Sequence, residues 1–484
     1  MIDFRIISKI IGSLLFIEAF FMGCCGVMAF SFHEDDLMAF MMSTMLTFSG
    51  AFLFLFFGRE AENSMSRRDA YVVVTLTWVV FSFFGMFPFL IHGSLTNITD
   101  AYFETMSGFT TTGATVIDDV EQLPHGLLFW RSLMQWIGGL GIVFFTIAIL
   151  PSLVGGSVKV FAAEATGPIR SKMHPRLSTS AKWIWSIYLL LTVACALSFW
   201  LAGMDWFGAT NYSMSTTATG GFSIHNGTIF LGSPTIEYLA ILFQFLAGIN
   251  FTLLYMGIFK FKVGTLFRNS EFKMYIVTIL IATIWIMYLL ITRMDYHFEH
   301  AFRSALFQVV SFITTTGLSN TDAGTWPHIT WAILMFLMFM GACAGSTTGG
   351  FKSIRVLMLL KVLRNEFHHI LHPNAVLPVK MSGSSIPQSR LVTLLAFLTL
   401  YVIMLLAIAV VIHVSGVDIT NAMTISLSLV SNVGAGLDTN VGPIMSWADL
   451  SCGIKWLCSF LMLVGRLEII AVLVLFTRSF WKEN

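Results

Sequence analysis

Ten apolar runs, at 10–30, 38–58, 70–91, 127–150, 183–203, 236–259, 274–292, 328–363, 391–414 and 453–477, limit what this chain can become. All but the longer 328–363 run are near the ~20 residues that cross a bilayer as a helix. A backbone immersed in lipid must satisfy its own hydrogen bonds, so the chain reads as an all-α polytopic membrane protein. Composition agrees: 56% of residues are hydrophobic and 11% charged, against about 25% charged in ordinary soluble domains. A soluble enzyme is thereby disfavoured. The formal charge of +1 gives no reason to expect nucleic acid, and lipid is the expected surrounding. No small-residue cleavage site follows the first run, which is read as a retained span. The cysteines (Cys24, Cys25, Cys195, Cys343, Cys452, Cys458) lie in apolar stretches without metal spacing and read as small packing residues.

Basic residues set the orientation. With a cytoplasmic N-terminus, 22 of the 27 Lys and Arg fall in inner segments, four fall outside (Arg131, Arg293, Arg303, Lys455), and Arg466 lies within a span. This positive-inside bias puts both termini in the cytoplasm. The outer segments instead carry acid, including Asp100, Glu104, Asp118, Asp119, Glu121, Asp205, Asp295, Glu299, Asp322, Asp418, Asp438 and Asp449. Two readings stay open for these: an anionic vestibule that concentrates cations, or helix caps and solvated loops.

The outer connections between spans 3–4, 5–6, 7–8 and 9–10 resemble one another. Aligned on one glycine each, they read AYFETMSGFTTTGAT (101–115), GATNYSMSTTATGGF (208–222), ALFQVVSFITTTGLS (305–319) and AMTISLSLVSNVGAG (422–436). The first and third agree at seven of their first 13 positions, and Gly113, Gly220, Gly317 and Gly434 are spaced by 107, 97 and 117 residues. Repetition of that size, with a span on either side, indicates four copies of one unit. The expected divisions are two N-terminal spans over 1–66, then repeats over 67–158, 159–265, 266–380 and 381–484.

Each copy holds an apolar stretch too short to cross, as suits a re-entrant half-helix. Asp100, Asp205 and Asp418 stand where N-caps would. Pro124, Pro234, Pro327 and Pro443 mark the return toward the next span. The unit is then span, half-helix, extended loop, span. Four loops round one axis can turn backbone carbonyls inward to replace an ion's hydration shell, as a potassium-selective ring does. Glycine is needed where aligned carbonyls impose a backbone shape that a Cβ penalises. Hard oxygen ligands without a thiolate or imidazole cluster argue against a transition metal. The candidate ring comprises Thr110, Thr111, Thr112 and Gly113; Thr217, Ala218, Thr219 and Gly220; Thr314, Thr315, Thr316 and Gly317; and Ser431, Asn432, Val433 and Gly434.

These motifs resemble the Trk/Ktr/HKT superfamily of K⁺ transporters over essentially the whole chain. The two extra N-terminal spans, the stretch Gly341 to Gly350 followed by Phe351 to Arg355, and Gly465-Arg-Leu-Glu468 point to its TrkH branch. The resemblance implies K⁺ uptake through a gated channel or channel-like symporter in the bacterial inner membrane. It also implies a homodimer with one pore per subunit and a TrkA-like cytosolic partner that binds nucleotides. K⁺ is expected at Thr111, Thr112, Ala218, Thr219, Thr315, Thr316, Asn432 and Val433. All four loop glycines are present, which suits K⁺; the fourth loop, Ser431-Asn-Val-Gly434, departs from the family by lacking a Thr run.

The 328–363 run is too long for one span, and four of the ten residues in 341–350 are glycine. A break there is expected, giving a polar loop across the pore with Gly341, Gly345, Ser346, Thr347, Thr348, Gly349 and Gly350 as gate candidates. Close helix packing through the GxxxG spacings is the alternative. Arg466 is read as positive charge in the ion path, with neutralisation by Glu468 as its alternative; a charge at that depth costs roughly 2.5–3.5 kcal/mol. Asn250, Gln135 and Gln244 read as interhelical hydrogen bonders. His368, His369 and His372 fall in a basic inner segment that suits a docking surface. No phosphate-binding glycine motif occurs, so no organic cofactor is expected in this chain. The rival functions are a Na⁺-permeable or Na⁺/H⁺-coupled relative, a broken-helix transporter of another solute, and an intramembrane enzyme. The last lacks a convergent catalytic constellation.

Overall fold

The computed structural model describes residues 2–61, 65–141, 177–226, 233–375, 377–381, 384–436 and 447–482. Lys159, Arg170, Lys172, Arg176, Asp438 and Pro443 lie outside the described residues, as does the last part of the 127–150 run. Regular structure among the described residues is helical, apart from an antiparallel ribbon of two residues per strand, Lys380–Met381 with Ser384–Ser385.

Among the described residues six continuous helical segments are long and apolar enough to cross a membrane: α1 (Phe4–Phe32), α2 (Leu37–Gly58), α3 (Arg67–Gly85) continuing as α4 (Phe87–His92), α7 (Leu177–Leu201), α12 (Ser270–Met294) and α16 (Gln388–Val414). Local chemistry starts and stops them. The Asp3 carboxylate accepts from the Arg5 and Ile6 amides, Ser66 and Asp69 form a reciprocal capping box, and His33 closes α1 in the left-handed region. Glycine lets α1 and α2 approach closely, for a Cβ on Gly12 would stand 2.9 Å from the Ala51 carbonyl oxygen.

Each of the four outer connections folds as a half-helix: α5 (Ile98–Phe109), α8 (Trp206–Ala218), α13 (Phe298–Ile313) and α17 (Ile419–Val430). Asp205 and Asp418 cap α8 and α17, accepting from the Gly208 and Thr420 amides at 2.9 Å each. In the first copy Asn97 takes that role at the Thr99 amide. Asp100 falls in the first turn and pairs with Lys455 Nζ at 2.6 Å. The half-helices are buried almost all round, since protein rather than lipid surrounds them.

The second span is interrupted in the second, third and fourth repeats. The third breaks as expected, α14 (His328–Met340) giving way to an irregular loop before α15 (Ser353–Leu371). The second was expected to run straight over 236–259 but turns by 106° between α9 (Pro234–Ala247) and α10 (Phe251–Ile258). The fourth likewise turns by 115° between α18 (Cys452–Arg466) and the segment Ile469–Phe476. In the first, α6 (His125–Gly139) ends before Gly141, whose φ is +82°. Hydropathy reports the apolarity of a segment and not its direction, so two bends escaped the sequence. The interruptions sit where the second spans pass the ends of the half-helices. A Cβ on Gly138 would overlap the Phe109 carbonyl oxygen, and one on Gly465 the Val430 carbonyl oxygen.

Replacing Gly138 with Leu is therefore expected to destabilise the fold by at least the ~1–3 kcal/mol of ordinary overpacking. Gly23→Ala, where no atom lies within 4 Å of the added Cβ, is expected to be tolerated. Thermal unfolding of the detergent-solubilised protein distinguishes the two; equal melting temperatures would contradict this packing.

Candidate functional site

The chain leaving each half-helix makes one further turn and then extends. Thr111, Thr219, Thr315 and Asn432 have φ of +55°, +54°, +53° and +55°, and two residues later Gly113, Gly221, Gly317 and Gly434 are also positive. Alternating hands of φ turn successive carbonyls toward one side of an extended strand. The same backbone bond fixes all four turns: the amides of Thr112, Gly220, Thr316 and Val433 donate to the carbonyls of Ser107, Ser215, Ser311 and Ser428 at 2.8–2.9 Å.

This places the second loop one residue later than the glycine alignment expected. Ala218, Thr219, Gly220 and Gly221 stand where Thr110 to Gly113 stand in the first loop; Thr217 still belongs to α8, its hydroxyl bonded to Ser213 and Thr192. The cause is local. Gly220 is hemmed in by Gln135, whose amide donates to the Gly220 carbonyl at 2.7 Å and accepts from the Phe222 amide at 3.1 Å. Gly221 supplies the positive φ. The other three loops keep the expected register.

The loops close into a ring. A Cβ on Gly113 would overlap the Gly220 carbonyl oxygen, one on Gly221 that of Thr316, one on Gly317 that of Val433, and one on Gly434 that of Thr112. Each loop thus leans on the next, and the fourth returns to the first. The hydroxyls of Thr112 and Thr316 bond to Thr110 and Thr314 at 2.8 Å in each case, and Asn432 Nδ2 donates to Thr112 Oγ1 at 2.9 Å.

Directly against this ring lies the interrupted segment of the third repeat. The Gly349 amide donates to Thr315 Oγ1 at 2.7 Å, the Gly350 amide to the Ser431 carbonyl at 3.0 Å, and Thr347 Oγ1 to the Thr217 carbonyl at 3.2 Å. Ser346 and Thr348 share a 2.8 Å hydroxyl contact. The second repeat's bend docks here too: the Phe251 amide donates to the Gly345 carbonyl at 2.9 Å, and Asn250 Nδ2 to the Ala344 carbonyl at 2.5 Å. Gly341 takes a φ of +64° at the head of the segment, where the Ser353 hydroxyl donates to its carbonyl.

Arg466 reaches into the same layer. Its guanidinium donates to the Thr347 carbonyl at 2.9 Å and to the Gly138 and Gly139 carbonyls at 2.6 Å each. The intramembrane segment, the first repeat and the fourth are thereby tied by one cation. Glu468 pairs with Arg355 at 2.5 Å. Lys352, fully enclosed, donates to Thr348, and Glu271 accepts from the Ala344 amide at 2.6 Å. Lys352 and Arg355 entered the sequence reading only within the motif Phe351 to Arg355, without roles of their own, and Glu271 not at all, since their partners are distant in the chain; only its charge beside an apolar run could have flagged Glu271. Glu18 is buried on α1 beside Gly85.

The outer acids are mostly structural. Glu104 is buried against Arg131 at 3.0 Å, and Glu237 accepts from Arg303 at 2.6 Å. Asp119 and Asp322 cap short turns; hydrogen bonds from Asn226 and Gln122 hold the Asp119 carboxyl below its ordinary range. Caps and ion pairs thus account for most of the acid read as a possible vestibule.

A sequence model of the family described as "TrkH: Cation transport protein" matches residues 36–483. The chain belongs to that family. It is 35% identical over 496 residues to the Trk system potassium uptake protein TrkH of Escherichia coli strain K12, covering 99% of this chain and 100% of the relative. It is 31% identical over 490 residues to TrkG of the same organism, covering 99% of each. Its fold matches the crystal structure of the potassium transporter TrkH from Vibrio parahaemolyticus with a TM-score of 0.89 and 34% identity, covering 99% of this chain and 100% of that one. A TrkH-type polytopic transporter architecture, and not an enzyme, is what these relationships establish.

Asn250→Ala removes both the cap on the Thr252 amide and the bond to Ala344. The expected cost is about 1–3 kcal/mol for buried groups left unpaired, read as a lower unfolding temperature. Asn250→Asp, which keeps the cap and loses the donor, is expected to fall between; an unchanged midpoint for both would contradict the docking described.

Proposed function

We propose that this chain takes up potassium across the bacterial cytoplasmic membrane, with both termini in the cytoplasm, through a pore whose selective element is the ring of four loops. The single observation that carries this reading is the closed sequence of contacts from Gly113 through Gly221 and Gly317 to Gly434. Four extended backbones held that close present concentric carbonyls without any side chain that could supply soft ligands. The ion is cargo, bound through carbonyls of Thr111, Thr112, Thr219, Gly220, Thr315, Thr316, Asn432 and Val433. In this reading Gly220 replaces the Ala218 position expected from the glycine alignment. The kinship with potassium uptake proteins supports the choice of ion.

The segment 341–350 acts as the gate, and Arg466 holds it closed while placing positive charge beside the ion path. Supporting this are the hydrogen bonds that seat the segment against the end of α8 and against the third and fourth loops. Release is assigned to a cytosolic nucleotide-binding partner docking near the basic segment 361–380, and the working unit to a homodimer. The repeats are divided at residues 66, 158, 265 and 380.

Two outcomes test this reading with radiolabelled Rb⁺ uptake into liposomes. Uptake is expected to be competed by K⁺ much better than by Na⁺, and Gly113→Ser to lose that preference because its Cβ enters the next loop's carbonyl. Flux indifferent to the serine would overturn the ring as selective element. Arg466→Ala is expected to raise partner-free flux, because it removes the hydrogen bonds that tie the segment to the first repeat and a positive charge beside the ion path. Unchanged flux from folded protein would remove Arg466 from the gate.

A further inference from the structure

With the loops in their structural register, a second set of equivalent positions emerges. Nine residues before each positive-φ glycine the half-helix carries Glu104, Tyr212, Gln308 and Ile425; two residues after it the outgoing strand carries Thr115, Ser223, Ser319 and Gly436. In the first three repeats these positions touch. Glu104 accepts from Thr115 Oγ1 at 3.0 Å, Tyr212 Oη shares a hydrogen bond with Ser223 Oγ at 3.0 Å, and Gln308 Nε2 donates to Ser319 Oγ at 2.7 Å. Three different side chains make one contact, each to a hydroxyl at the same place. In the fourth repeat neither position carries a polar side chain: Ile425 is aliphatic and fully buried, and Gly436 has no side chain to offer.

We propose that Glu104, Tyr212 and Gln308 are positioning residues for ion discrimination: each braces the outgoing strand of its loop to the half-helix behind it, and so resists contraction of the ring around an ion smaller than K⁺. The proposal rests on the loops being the ion-coordinating element. A carbonyl ring that could shrink freely would coordinate Na⁺ as well as K⁺. A brace behind the first three strands makes that shrinkage cost a hydrogen bond, buried in the third repeat and partly buried in the first two, and a polar group left unpaired away from water is expensive. The brace in the first repeat is the most elaborate. Glu104 also accepts from the Val116 amide and from Arg131, whose guanidinium donates onward to the Ser223 carbonyl at 2.8 Å. The first and second braces are thereby linked. The fourth loop has no such hydroxyl pair and is held from the other side, where the Gly350 amide meets the Ser431 carbonyl.

Titration calorimetry of the purified full chain with KCl and with NaCl measures discrimination at equilibrium, whether or not the pore is open. Tyr212→Phe deletes one oxygen, and Ser319→Ala another, from neutral pairs. Each is expected to narrow the ratio of K⁺ to Na⁺ affinity by about 2- to 10-fold, the range set by one net hydrogen bond. Ser319→Thr, which keeps the hydroxyl and copies Thr115, is expected to hold the parent ratio; Ile425→Leu is expected to leave it unchanged. Parent ratios in Tyr212→Phe and Ser319→Ala, while Gly113→Ser shifts its own, would overturn the brace and leave the ring intact. If Gly113→Ser also shifts nothing, or the parent binds no K⁺, the coordinating role of the loops falls and the brace with it.

Discussion

A glycine can stand at positive φ against a neighbour's carbonyl oxygen because it has no Cβ, and four such close approaches in cyclic order let the four loops meet at this molecule's centre. Everything outward serves to bring those four backbones to one place. The half-helices deliver each chain to the centre, ending in the same turn onto a serine carbonyl. The spans on either side isolate the irregular backbone from lipid, where its unpaired amides and carbonyls could not persist. The outer ion pairs Glu104–Arg131, Glu237–Arg303 and Asp100–Lys455 join one repeat's half-helix to its own second span or to that of its neighbour.

On the opposite side of the ring from the braces, the interruptions in the second spans create a layer of polar backbone inside the protein. That layer requires charge. Arg466 answers carbonyls from two repeats, Glu271 accepts an amide of the intramembrane segment, and Arg355 and Glu468 pair beside them. A buried charge with several hydrogen bonds is tolerable where an unsatisfied one is not, and breaking one partner leaves the other exposed to the full desolvation cost. These bonds join the intramembrane segment to the first and fourth repeats in one buried polar layer.

Much of this was legible because periodicity and composition report it directly. Apolar length marked the spans, repetition marked the four units, and Asp205 and Asp418 marked two half-helix starts. Asn97 rather than Asp100 caps α5, since the short stretch allowed more than one start. The second loop slipped by one because Thr219-Gly220-Gly221 offers two glycines, and only the side chain of Gln135, far off in sequence, decides which adopts positive φ. The bends at 248–250 and 467–468 escaped for a related reason: Asn250 caps a new helix and Glu468 has a φ of +65°, neither of which alters hydropathy. Pairings such as Asp100 with Lys455, 355 residues apart, leave no local trace.

Whether the ring presents its carbonyls to a dehydrated monovalent cation is tested most directly by anomalous diffraction from crystals grown in RbCl. Rb⁺ peaks are expected on the axis between the segments 111–113, 219–221, 315–317 and 432–434. Ordered protein with an empty axis, or Rb⁺ only among outer acidic side chains, would contradict a carbonyl ring as the ion's seat.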